Sequence, residues 1–172
     1  MIGRFLRRER SGAAALEFAL VAPLFFGLVF STFEAGWMMT KSMMLGRSMN
    51  IAIRLIRVGS DDAATTQAEL KKQICANTMI IPDCVASLTV EMSPIASASD
   101  FPTAAAACVD RGSTVTPVVA FTAASRAMIM FVRACIVTDP FTPGIGVALG
   151  LPKDSKGGYS LVSTTAFMSE PG

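Results

Sequence analysis

The sequence predicts an α+β protein in which one long N-terminal helix leads into a small domain with a second helix and an antiparallel sheet. Residues 13–33 form an apolar run with a single ionisable side chain, Glu17. Residues 38–58 continue at helical spacing without a proline. Three later segments, 85–93, 126–137 and 159–168, have the apolar patterns of strands.

The first part of the long helix has the length of a membrane span. Residues 13–33 would extend about 32 Å at about 1.5 Å per residue, close to a hydrocarbon core of about 30 Å. We assign the transmembrane part to residues 13–36 and expect Trp37 at the far interface. The run is longer than the core of a secretory signal and has no small-x-small site, which favours an anchor over the alternative, a cleaved signal peptide. Four arginines precede the run and predict a cytoplasmic N-terminus: Arg4, Arg7, Arg8 and Arg10.

The second part of the helix is predicted to be amphipathic and to leave the membrane. Its expected buried stripe consists of Met44, Ile51, Leu55 and Val58. Its expected polar stripe consists of Arg47, Asn50, Arg54 and Arg57. Gly59 is placed as a C-terminal cap, so the long helix is expected to cover residues 13–58.

Residues 59–172 are predicted to form the head domain. A second helix is expected to begin at Ser60 or Asp61 and to end near Ala76. The first strand is expected to be half-buried and the second, apolar on both alternations, to be central in the sheet. Residues 96–116 and 138–158 are expected to be loops. The buried face of the second helix is predicted to be Ala63, Leu70 and Ile74, and that of the first strand Leu88, Val90 and Met92.

The composition argues against catalysis and against nucleic-acid binding. A net charge of +2 gives no global basis for binding nucleic acid. The chain has no histidine, which removes Ser-His and Cys-His nucleophiles and the commonest metal ligand. Neither a phosphate-binding P-loop nor a strand-linked dinucleotide motif is present. We therefore predict no enzyme activity, no cofactor and no metal site.

The four cysteines are predicted to form two disulfides. A cytoplasmic N-terminus would place the head in an oxidising space. Three pairings are possible, and we favour Cys75–Cys84 across the Pro82 turn together with Cys108–Cys135 between the loop and the central strand. A zinc site is the disfavoured alternative, because the sequence has neither a C-x-x-C pair nor a histidine.

The stretch "RRERSGAAALEFAL" resembles the processing site of prepilins of tight-adherence (Tad) pili, which belong to the type IV pilin-like proteins. Gly12 is followed by four small or apolar residues and then by Glu17 and Phe18. The resemblance implies that residues 1–12 are a prepilin leader and that a prepilin peptidase cuts between Gly12 and Ala13. Glu17 and Phe18 would then be positions five and six of the mature chain.

The wider pattern resembles the TadE-like and TadF-like minor pseudopilins, and the choice between these two stays open. "GAAALEFALVAPLFFGLVFSTFEAGW" carries the resemblance, with Pro23, Glu34 and Gly36 in place, and "TTAFMSEP" resembles the Glu-Pro ending of the TadE-like group. It implies a type IV pilin-like fold and a role in priming or supporting pilus assembly and adhesion.

The resemblance also implies a location and partners. The protein would be a single-pass inner-membrane protein with a periplasmic head, and extracellular once in the pilus. Its partners would be other minor pseudopilins in a hetero-oligomer, the major pilin, the pilus assembly platform and the prepilin peptidase. The alternative function is a permanently membrane-anchored periplasmic adaptor of an envelope assembly or secretion machine.

Two carboxylates of the long helix are candidate assembly residues. A charge near a bilayer core is costly, so Glu17 needs a partner, such as the amine created by cleavage, or must snorkel to the interface. Glu34 is expected at the outer interface, where solvation is sufficient to explain it, with a specific pairing as the alternative.

Overall fold

The structure, a computed structural model, describes residues 11–125 and 127–169. The predicted α+β class is confirmed: a long helix, two shorter helices and a three-stranded antiparallel sheet. The elements are α1 (Ser11–Arg57), α2 (Gln67–Ala76), α3 (Cys84–Ser87), β1 (Leu88–Pro94), β2 (Ile129–Thr138) and β3 (Tyr159–Met168). Two short 3-10 turns, Ala98–Asp100 and Val147–Gly150, lie in the connections.

Helix α1 is continuous through both predicted parts. Its 47 residues correspond to about 70 Å of helix at about 1.5 Å per residue, and Pro23 lies inside it. The helix ends where the sequence predicts, because Gly59 has a φ of +65°. The Ser60 N–H then donates to Leu55 O (3.1 Å) and the Gly59 N–H to Ile56 O (3.2 Å), which closes the last turn.

The buried face of α1 differs from the predicted stripe. Ile51 and Val58 are exposed, and Met44 and Leu55 are only partly buried. The apolar side chains that are buried are Leu45, Met49, Ala52, Ile53 and Ile56. Small residues explain the difference, since Gly46 lies against Ser163 of β3 and the buried Ser48 donates to Asn77 O at the end of α2. The spacing of apolar residues alone does not predict the burial of glycine and serine. The predicted polar stripe is exposed throughout.

The N-cap of helix α2 lies five or six residues later than predicted. Thr66, rather than Ser60 or Asp61, is the N-cap, and its side chain accepts from the Glu69 N–H while the Glu69 carboxylate accepts from the Thr66 N–H. This reciprocal capping box provides acceptors for two backbone N–H groups at the start of the helix. Asp61, which lies in a turn, provides no such pair of bonds. Leu70 and Ile74 are fully buried as predicted, whereas Ala63 is only partly buried.

The sheet has the order β1-β2-β3, with β2 in the centre as predicted. The predicted first strand is shortened, because Cys84–Ser87 form a single helical turn before β1. Its alternating buried residues Leu88, Val90 and Met92 are confirmed. One face of this sheet packs with α2 and the C-terminal half of α1 around the hydrophobic core.

Candidate assembly surface

Most of the N-terminal half of α1, up to the contact of the head at Ser31, is not covered by the rest of the described chain. An 18-residue window of Gly12–Arg57 has a mean hydropathy of 2.1, and none of it is buried. The helix is long and apolar enough to cross a membrane, so it is compatible with a membrane anchor. The exposed large apolar side chains are Leu16, Phe18, Leu20, Val21, Leu24, Phe25, Phe26, Leu28, Phe30 and Phe33.

The predicted processing and assembly residues lie in the first two turns of this bare half. Gly12, Ala13, Glu17 and Phe18 are all exposed. A Cβ placed on Gly12 would meet nothing within 4 Å, so the described fold itself makes no demand for glycine there. The next basic residue along the described helix after Glu17 is Lys41, about 36 Å away at about 1.5 Å per residue. On its C-terminal side, the described part of α1 therefore offers Glu17 no cationic partner closer than Lys41.

Glu34 is buried, and this corrects the expectation that solvation explains it. Its side chain is 1% exposed. The carboxylate accepts hydrogen bonds from the Phe141 N–H (3.0 Å), the Thr142 N–H (2.8 Å) and the Thr142 hydroxyl (2.9 Å). Charge-assisted bonds of this kind offset the desolvation of a buried carboxylate. Glu34 thus fixes the loop after β2 to the long helix.

Lys41 lies two turns beyond Glu34 and holds the same region of the head. Its ammonium donates to the Thr138 hydroxyl (2.8 Å) and to Asp139 O (2.9 Å). The amine also lies 5.7 Å from the ring centroid of Trp37 and 5.8 Å from that of Tyr159. Burial lowers the pKa of Lys41, whereas the charges of Glu34 and Asp139 raise it.

Sequence reasoning missed Lys41, although a signal for it was present. Glu34 and Lys41 are seven residues apart, which puts them on one face of a helix two turns apart. Both positions interrupt an apolar helix, so a shared polar contact with the head was a readable alternative to solvation. Tyr159 belongs to the same buried cluster: burial, followed by the charges of Glu34 and Asp139, raises its pKa to about 12.

Arg111 holds the two ends of the connection between β2 and β3. Its guanidinium donates to both oxygens of Asp139 (2.6 and 3.0 Å) and, through Nε, to Asp154 (2.7 Å). These hydrogen bonds raise the pKa of Arg111, and the bond from Arg111 lowers the pKa of Asp154 to about 2. The connection is therefore closed at its base by Arg111 and attached to α1 by Glu34.

Both favoured disulfides are present in the structure. Cys75–Cys84 ties the end of α2 to the turn before β1, and Cys108–Cys135 ties the long loop to central strand β2. All four cysteines are bonded. The bonds belong to the framework of the head and lie away from the bare half of α1.

The outer face of the C-terminal half of α1 is a second exposed surface. A shallow groove on this face is lined by Met43, Gly46, Arg47, Asn50, Ile51 and Arg54. Met43 and Ile51 are exposed apolar residues set among basic ones. This groove faces away from the core that the opposite side of the helix forms.

A comparison with known protein families finds a match within helix α1. Residues 12–53 match the family model of the TadE-like proteins. The matched segment covers almost all of α1 and includes Gly12, Glu17, Glu34 and Lys41, so the resemblance found in the sequence is confirmed over these residues. TadE-like proteins are structural components associated with Tad pili. No curated protein and no solved structure matches the chain.

Proposed function

We propose that the protein is a minor pseudopilin of a tight-adherence pilus that primes or supports pilus assembly and adhesion. Before assembly it is a single-pass inner-membrane protein, with its N-terminus in the cytoplasm and its head in the periplasm. The observation that carries the proposal is the division of α1: residues of the TadE-like segment pack into the head at one end and are bare and apolar at the other. A bare apolar helix needs lipid or the helices of other subunits to cover it.

The proposal includes removal of residues 1–12 by a prepilin peptidase. Gly12 and Ala13 lie at the N-terminal end of the described part of α1. A glycine lowers the cost of opening the helix there into an extended substrate and lets the backbone approach a catalytic carboxylate pair closely.

The processing step is tested on protein taken from native membranes. N-terminal sequencing should return Ala13 as the first residue, and intact mass should show that Gly12→Leu remains full length. Gly27→Leu is the matched control, because Gly27 is also a helical glycine with nothing within 4 Å of its Cβ position. Normal cleavage of Gly12→Leu would reject the site. An uncut wild-type chain would favour the permanently anchored adaptor instead.

We further propose that the outer groove of α1 contacts another minor pseudopilin. It offers exposed Met43 and Ile51 beside Arg47 and Arg54, a combination that fits an amphipathic helix with an acidic edge. Met43→Glu combined with Ile51→Glu should abolish co-purification of the partner pseudopilin. The control is Met79→Glu, at an exposed methionine after α2. Equal recovery of the partner by both variants would contradict this assignment of the groove.

A further inference from the structure

The connection between β2 and β3 presents an unusual apolar surface. Residues 140–152, "PFTPGIGVALGLP", contain no ionisable side chain. Four large apolar side chains of this segment, Phe141, Ile145, Val147 and Leu149, are 63%, 46%, 42% and 56% exposed. Such a cluster on a loop is unfavourable in water and indicates a contact outside the described chain.

The position of this loop along α1 identifies the contact. A Cβ on Gly146 would lie 3.3 Å from Ser31 Cα, so the loop touches the helix at Ser31. Glu34 holds the loop one turn further on. Both positions are at the outer end of the apolar run 13–33, where the helix would leave the hydrocarbon. Phe141 of the loop lines one shallow groove together with Phe33 and Trp37 of the helix, so the apolar surfaces of the loop and the helix meet there.

The loop is held rigidly in this position. Arg111 closes its base through Asp139 and Asp154, and the Glu34 carboxylate binds two of its backbone N–H groups. The Phe141 ring is 6.3 Å from the Trp37 ring, which places two aromatic side chains at the level expected for a membrane–water interface. Exposure of the apolar side chains is thus imposed by a fixed backbone.

We infer that the loop of residues 140–152 is a second membrane-contact element, which inserts its apolar side chains into the leaflet on the side of the head. The inference rests on the proposed membrane anchoring of α1. Lipid fits better than a protein groove because the loop carries no charge after Asp139 and continues the apolar band of the helix. The contact would fix the tilt of the head on the bilayer, since the head would then touch the membrane at two points.

The test places a fluorescent reporter on the loop of the full chain. Trp37 is the only tryptophan, so Trp37→Phe gives a dark background into which Leu149→Trp or Ile145→Trp is introduced. Each protein is reconstituted in phosphatidylcholine vesicles with ordinary or brominated acyl chains, and vesicle flotation measures anchoring. We expect both loop reporters to shift their emission to the blue and to lose most of their intensity in brominated vesicles.

The control reporter is Met79→Trp in the same background. Met79 is 88% exposed and follows Asn77, whose carbonyl accepts a bond from Ser48, about 26 Å further along α1 than Ser31. Its emission should be the same in both kinds of vesicle. Loop reporters that are not quenched on a chain that floats would overturn the inference. If their emission is also shifted to the blue, the apolar neighbour of the loop is protein rather than lipid. A chain that does not float would overturn the anchoring and the inference with it.

Discussion

The two halves of α1 carry one carboxylate each, and the surroundings of Glu17 and Glu34 are opposite. Glu34 is buried and accepts three hydrogen bonds from Phe141 and Thr142. Glu17 is exposed on a helical segment that no described part of the head covers. The TadE-like match includes both. The comparison separates a carboxylate that serves the fold of its own chain from one that has no contact with the head among the described residues.

The same division separates two sources of stability. The head is stabilised by its core, its disulfides and the contacts of Glu34 and Lys41. The N-terminal half of α1 depends on its own backbone hydrogen bonds and on whatever covers it. Changes in the head should therefore lower the free energy of unfolding, whereas changes in the bare half should act on assembly.

The largest expected effect on stability is the loss of a disulfide. In the chain-entropy description, Cys108–Cys135 contributes about 4 kcal/mol and Cys75–Cys84 about 3 kcal/mol, because the first closes the longer loop. Urea unfolding of the paired alanine variants in detergent should show this order. The helix signal of the bare half should persist after the head unfolds. A single transition that removes both would contradict the independence of the two halves.

The next largest effect is the difference in stability between variants of the two carboxylates, Glu34 and Glu17. Glu34→Ala leaves two partly buried N–H groups of the loop without an acceptor and should destabilise the head by about 2 kcal/mol. Glu17→Ala should leave the free energy of unfolding unchanged. Thermal unfolding of both variants in the same detergent measures the difference. Equal stabilities would mean that water replaces the Glu34 contact and that the loop is held by Arg111 alone.

Sequence reasoning succeeded where regular patterns decide the structure. The uninterrupted helix, its end at Gly59, central strand β2 and the cysteine pairing follow from periodicity, cap residues and chain proximity. Sequence reasoning failed where a contact between residues far apart in the chain decides which side chains are buried. The burial of Glu34 depends on a loop 107 residues away, and the rotated face of α1 depends on Gly46 meeting Ser163. Gly46 leaves no local signal of its contact, whereas the spacing of Glu34 and Lys41 indicates a shared polar contact without showing which loop supplies it.

A smaller effect concerns Asp154 and pH. Arg111 lowers the pKa of Asp154 from 3.8 to about 2, so the ionised side chain stabilises the fold above its ordinary pKa and this stabilisation is lost as the pH falls. The shift corresponds to about 2 kcal/mol. Asp154→Asn should be less stable than the wild type by that amount at pH 7. The difference should shrink between pH 4 and pH 2. Asp61→Asn, at an exposed position, should show no such change; a constant difference at all pH values would reject the role of ionisation.

Glu17→Gln is expected to have almost no effect on stability and its whole effect on assembly. The side chain is exposed and about 36 Å along the helix from Lys41, so its removal breaks no contact within the described fold. Insertion into the membrane should become easier without the charge. Cleavage after Gly12, if it occurs as proposed, creates a positive amine at Ala13, one turn before Glu17.

That amine cannot be left unpaired among the apolar helices of a pilus, and Glu17 of the same or a neighbouring chain is the available anion. The pair offsets part of the desolvation of both groups and favours one register between subunits. Glu17→Gln should therefore be inserted and processed normally but fail to co-purify with its partner pseudopilin. Membrane fractionation, intact mass and pulldown on one preparation measure the three steps. Normal pulldown and normal piliation by Glu17→Gln would show that Glu17 needs no pairing with the amine and only extends to the membrane–water interface. Glu34 would then be the only carboxylate of α1 with a partner.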